Sequence, residues 1–535
     1  MFVHDLAALS PTSATDWGIP GYEGELQDFS PDYWNALAER NRDMVADVDA
    51  FDDGTDDNDD DEDFDDVDRV TAEALRDRVC LDLSLHHQGE TLRMLNNIDS
   101  PVQTIRDTFL MMPGESDEER ENIRERLSRV PDALHGYCES LALAASQGRV
   151  AAARQVDEVI SQCEDLGDTG SVLENLGLEE NDPVVLEAQS AFQRVAGWLG
   201  EQLAPHAPHE DAVGRERYEQ FSHLFVGEFV DLDEAYLWSL DQLRAIDAEQ
   251  QELAVQLYGA GTTVRESMKK LNADERYIIH GRDALVEWMQ TTADRAVSDL
   301  AGTYFTIPEP VRTIECRIDP AGTGGIFYTP PSDDFSRPGR MWWSVPKSQE
   351  IFHTWQELTT VFHEGVPGHH LQIGQTMTNT EELNLWRRAV CWNSGHGEGW
   401  ALYAETLMKE LGYHEDPGTR MGYLDAQRLR AARVAIDIGL HLGKKNPEGT
   451  GPWDASYARS FLRENTFMAE ANLTFELTRY LGWPGQAASY AIGQRLWKDL
   501  RDDAVSQGMD LAEFHSRALS YGSIPMAILR DQLLD

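Results

Sequence analysis

The chain has 535 residues with 95 acidic against 45 basic side chains, a formal charge of −50. That length exceeds one hydrophobic core and predicts two or more subdomains with room for a deep cleft. The charge excludes nucleic acid and anionic membranes as partners, since both require a basic surface, and its spread along the chain suggests a proteome adapted to high salt, as in salt-adapted archaea.

The first residues, Met1 to Asp16, lack a basic segment followed by an apolar one, and no stretch stays apolar long enough to span a bilayer. Five scattered cysteines with no C-x-x-C pair fit a reducing compartment. The cytoplasm is therefore the expected location. Residues 49–68 are mostly Asp, too polar and self-repelling to pack, and read as a disordered surface loop within an amino-terminal helical subdomain, 1–205. It lacks the glycine-centred spacing of a calcium loop. From 69 to 202 apolar residues recur at three and four, as in helices. The pair His86-His87 sits there on a helix surface, where adjacent side chains diverge.

The second subdomain, 206–535, contains a different stretch. Short apolar pieces at 313–318, 325–328 and 341–345, punctuated by Pro330-Pro331 and Pro338-Gly339, predict a small antiparallel sheet. Gly322-Thr323-Gly324-Gly325 lies within it with no helix following, so it reads as a turn and not as a phosphate loop. Ile351, Phe352, Trp355, Leu358, Val361 and Phe362 then repeat at helical spacing and carry a helix into His363.

The run His363-Glu364-Gly365-Val366-Pro367-Gly368-His369-His370 begins like a zincin helix, in which one imidazole binds zinc and the adjacent carboxylate takes a proton from the attacking water. A second histidine four residues on is replaced by Pro367. Pro367 and Gly368 bend the helix, and the bend brings His369 back toward a metal. His370, a heptad from His363, would stand two turns away; it is the alternative ligand. Either histidine pair also fits a capped helix end with no metal. A third ligand is expected downstream, where Glu398 opens a second helix and Glu405 follows two turns later on the same face. Glu398 is assigned as ligand and Glu405 as its support, against a simple role for either in helix-dipole compensation or a salt bridge.

Four ordered motifs, His363 to His370, Glu398 to Glu405, Asp437 to His441, and Arg479-Tyr480 with Pro484 to Gly493, together resemble the DUF885 family. The resemblance runs from about Ala212 to the end and more weakly through the amino-terminal half. It implies a mainly α-helical, zincin-like fold with a deep channel, similar to helical zinc oligopeptidases and dicarboxypeptidases, and a short peptide as substrate. On that footing one Zn2+ is the expected cofactor and Glu364 the general base. Tyr490, Tyr480, His441 and Arg479 become candidate donors to a reacting carbonyl or a peptide carboxylate, with Asp437 orienting His441. Tyr490 also fits a core aromatic, and Asp437-His441 a plain helix pair. Three alternatives stay open: a metal-dependent amidase or esterase, an inactive relative that binds peptides, and a helical scaffold or partner-binding protein in which the histidines are dispersed.

Overall fold

Long amphipathic segments dominate the sequence, and helices dominate the computed structural model, which describes residues 1–52, 65–179, 181–319, 325–332, 335–346 and 348–534. The chain divides into two units. One comprises Met1–Val213 with the returning stretch Thr478–Trp483, the other Gly214–Leu477 with Pro484–Asp535; the boundary falls after Val213, where composition placed it at 205.

Among the described residues the elements of the first unit are all helices, packed around a core that includes Val102, Ile105, Phe109, Leu127, Leu134, Tyr137, Val156 and Phe192. Its longest helix, Asp117–Ser146, starts at a capping box in which Ser116 and Glu119 satisfy each other's backbone donors. The acidic segment is shorter than its composition suggests. Helices Pro31–Asp52 and Asp66–His87 take up both ends of it, because Asp49 accepts from Arg76 at 3.0 Å and Asp65 caps the second helix through the Asp68 N–H. The remainder of that predicted loop, 53–64, lies outside the described residues, as do positions 322–324 of the predicted glycine turn.

The second unit combines helices with two small sheets. Strand Gly339–Ser344 is central in the larger one. It pairs antiparallel with Ile326–Thr329, as expected, and in parallel with Ile314–Asp319; a parallel partner leaves no hairpin signal in the sequence. Gly339, Met341 and Trp343 alternate inward, and Met341, Trp343, Ile314 and Cys316 pack with Val361 of the helix Thr354–Glu364. This contact sets the position of the helix that ends in His363-Glu364. Ile351 and Phe352, which the helical spacing assigned to that helix, instead form strand Ile351–His353 against Ile278–His280. Non-local pairing overrides local periodicity there. Among the described residues no helix is long and apolar enough to cross a membrane.

Candidate metal centre

The helix Thr354–Glu364 is fixed by buried Trp355, Val361 and Phe362 and stops at Gly365. A reversal follows: the Gly368 N–H donates to Phe362 O at 3.1 Å, the Val366-Pro367 bond is cis, and His369 opens a new helix, His369–Thr378. Glycine is required at 368, because a Cβ would stand 1.9 Å from His363 O. The Trp400 indole N–H donates to Pro367 O at 2.8 Å and ties the reversal to the helix Ser394–Glu410. The chain thus folds back and does not merely bend, which places the His363 and His369 rings 4.9 Å apart and nearly perpendicular.

Glu398 meets them from the helix Ser394–Glu410, which Asn393 caps through the His396 N–H. That helix crosses Gln486–Ser506 with backbones in contact, since a Cβ on Gly399 would lie 2.5 Å from Gly493 C and one on Gly493 would lie 2.1 Å from Gly395 O. The crossing brings Glu398 Oε2 to 3.3 Å from His363 Nε2 and 3.4 Å from His369 Nε2. One ligand atom from each of the three residues lies within 4.8 Å of the others. A tetrahedral ion with bonds of about 2.05 Å separates its ligand atoms by about 3.3 Å, so the spacing suits zinc, as does the set of two imidazoles and a carboxylate. Glu398 Oε2 is buried and makes no hydrogen bond among the described residues, and a cation would satisfy it.

Support behind His363 is complete. Its Nδ1–H donates to Glu405 Oε1 at 2.8 Å, the Thr359 hydroxyl donates to Glu405 Oε2 at 2.6 Å, and the Arg430 guanidinium lies 4.0 Å from the same carboxylate. Such a carboxylate–imidazole pair fixes the tautomer that turns Nε2 toward a metal. His369 Nδ1 has no comparable partner among the described residues. Burial disfavours a charged His363, yet Glu398 and Glu405 outweigh burial and lift its pKa to about 10. Burial likewise favours a neutral Glu398, but His363 and His369 hold its carboxyl well below the usual range. For Glu364 burial prevails over the neighbouring imidazoles and raises the pKa. The carboxylates of Glu398 and Glu405 beside the imidazoles make a field that favours positive charge.

A family described as bacterial protein of unknown function (DUF885) matches residues 11–533. The chain belongs to the DUF885 family. The match covers the amino-terminal unit as fully as the rest, beyond the region where the sequence motifs are strongest. In fold the chain is similar to a "putative lipoprotein" from Colwellia psychrerythraea, with 23% identity, a TM-score of 0.82, and 99% of this chain and 96% of that one covered. It is also similar to a "putative lipoprotein of unknown function" from Shewanella oneidensis, with 16% identity, a TM-score of 0.74, and 100% and 98% covered. No curated protein matches.

In this DUF885 chain the other expected site residues take varied places. His370 is committed elsewhere: its Nε2–H donates to Val311 O at 2.8 Å, its Nδ1 accepts from the Tyr328 hydroxyl at 3.0 Å, and burial lowers its pKa to about 4. It ties the sheet to the reversal and is not positioned as a ligand. His441 was expected to reach a reacting carbonyl, but its side chain is wholly enclosed, 3.5 Å from Asp437 and stacked on Tyr218. Asp437 in turn accepts from the Tyr218 hydroxyl at 2.8 Å and from the Gly485 N–H at 2.9 Å. The pair therefore anchors the turn at Gly485, whose φ of +83° suits glycine. Tyr490 is half-buried one turn before the crossing at Gly493, beneath the Arg433 guanidinium at 4.9 Å, which is paired with Glu476. Arg479 and Tyr480 lie on the stretch that belongs to the first unit, where Tyr480 is buried and Arg479 lies over Trp483. The spacing gave no hint of Arg430 or Thr359, whose partners are remote in sequence. Trp392, half-exposed beside His369, follows a cysteine in an irregular segment that carries no motif.

Proposed function

We propose that the protein is a zinc-dependent hydrolase of short peptides, with His363, His369 and Glu398 as ligands of one zinc ion and Glu364 as general base, on a zincin-like plan. The convergence of Glu398 Oε2 on two imidazole nitrogens at 3.3 and 3.4 Å carries this reading. A zinc ion held there supplies the Lewis acidity for activating water and polarising a carbonyl. Glu364, next to His363 and buried, has a carboxyl displaced upward, the direction that suits a group taking a proton from water and returning it to a leaving amine. Tyr490, half-buried one turn before the crossing at Gly493, is the residue proposed to donate to charge developing on the carbonyl oxygen. Short substrates follow from access: His363 and His369 are only 5% and 6% exposed, which a folded chain could not reach.

The test is mass-spectrometric analysis of a mixed short-peptide library incubated with the wild type and with Glu364→Gln. Cleavage that chelator abolishes and zinc restores is expected, with the variant keeping zinc while its rate falls about 100-fold or more. A wild type that binds zinc but hydrolyses only amides or esters outside peptides would replace peptidase with that activity. No turnover of any of these would leave a peptide-binding relative.

A further inference from the structure

The first unit carries a groove of about 610 Å³ whose lining reverses the charge of the chain. Arg42, His86, His87 and Arg149 line it, and among the described residues no carboxylate does, in a protein of net charge −50. The histidines close the helix Asp66–His87, Arg42 projects from the middle of Pro31–Asp52, and Arg149 follows the end of Asp117–Ser146. Compensation of helix dipoles accounts for cations at the two helix ends. It accounts neither for Arg42 nor for the lack of any acid among them.

Several of these groups are held in place before any ligand arrives. The Arg149 guanidinium donates to Gln147 Oε1 at 3.1 Å and lies against Gly89, where a Cβ would stand 2.3 Å from Nη1 and where φ is +77°. Glycine at 89 is what lets the guanidinium settle there. His86 Nδ1 is paired with the Thr91 hydroxyl at 2.9 Å, which leaves Nε2 as the other polar edge of the ring. Burial first, and then the charges beside it, lower the His86 pKa, so the permanent charges of the groove are the guanidinium groups of Arg42 and Arg149. Neither Arg42 nor Arg149 has a carboxylate partner among the described residues. The rest of the lining includes Leu83, Leu92 and Leu143, of which Leu143 is 39% exposed. A pocket of this size with an apolar wall and convergent polar groups is of the kind that takes small molecules.

We propose that this groove binds a small organic anion, a carboxylate or a phosphate monoester, with an apolar group seated on the leucines and its charge on Arg42 and Arg149. Calorimetric titration of the full chain with phenyl phosphate, benzoate, inorganic phosphate and benzyl alcohol tests it, alongside the double variant Arg42→Gln/Arg149→Gln. Saturable one-to-one binding of phenyl phosphate or benzoate is expected, and the stronger of the two identifies the headgroup. The double variant should bind at least about tenfold more weakly; both substituted positions are on the surface, and an unchanged melting temperature would show an intact fold. Binding of neither anion, undiminished binding by the double variant, or equal binding of benzyl alcohol would overturn the proposal. Inorganic phosphate bound as tightly as phenyl phosphate would overturn the part assigned to the leucines.

Discussion

Replacing Glu405 by glutamine isolates the contribution of one buried charge to the centre. The side chain is fully buried and keeps its shape in the variant. Its amide oxygen can still accept from His363 Nδ1–H, now 2.8 Å away, while the Thr359 hydroxyl can turn to accept from the new NH2. No hydrogen bond need be lost, so the change removes the negative charge behind the imidazole and leaves Arg430, 4.0 Å off, without its counter-charge. Carboxylates that support a ligating histidine are worth about 10- to 100-fold in metal affinity, or about 1.4 to 2.7 kcal/mol. Competition for zinc with a chromophoric chelator should show a loss in that range for Glu405→Gln, with the apo protein still folded by circular dichroism. An affinity within about threefold of wild type would refute the argument that Glu405 acts through His363.

His370→Gln should cost stability through its two buried hydrogen bonds, about 1–3 kcal/mol by denaturant unfolding, yet retain zinc; loss of zinc with the fold intact would restore His370 as a ligand. His515 is buried between Tyr403, whose hydroxyl donates to Nε2 at 2.8 Å, and Tyr304 O at 3.1 Å from Nδ1, and burial lowers its pKa to about 4. A depressed histidine binds its proton more readily when unfolded, so its contribution is complete above pH ~6.5 and is lost as pH falls toward 4. Between pH 7.5 and 5 it should account for about 2 kcal/mol, and His515→Gln should flatten the pH dependence of unfolding by that amount; an unchanged slope would count against it. We further propose adaptation to high salt: melting temperature should fall steeply from molar salt to dilute buffer, as carboxylates lose their screening, and a flat profile would contradict this.

Much of the centre could be read from residue order because it depends on local spacing. Trp355, Val361 and Phe362 foretell the helix that carries His363, and the heptad between Glu398 and Glu405 foretells two carboxylates on one helix face. In the fold these two flank a single imidazole, one at each nitrogen. What could not be read depends on remote partners. Whether Pro367 bends a helix or ends it is decided by close backbone approach at Gly368 and by the Trp400 hydrogen bond. Ile351 and Phe352 keep helical spacing but are claimed by a strand some seventy residues earlier. Asp437 and His441 are four apart on a helix in either reading, and only the packing of Tyr218 and Gly485 around them shows that they are enclosed.

The most direct measurement is zinc content by elemental analysis of the purified wild type, His363→Ala, His369→Ala and Glu398→Ala, each checked for folding. One zinc per wild-type chain, lost in all three folded variants, is the result predicted. Zinc absent from the wild type after reconstitution, or retained at full stoichiometry in the folded variants, would contradict the assignment of these residues as a metal centre.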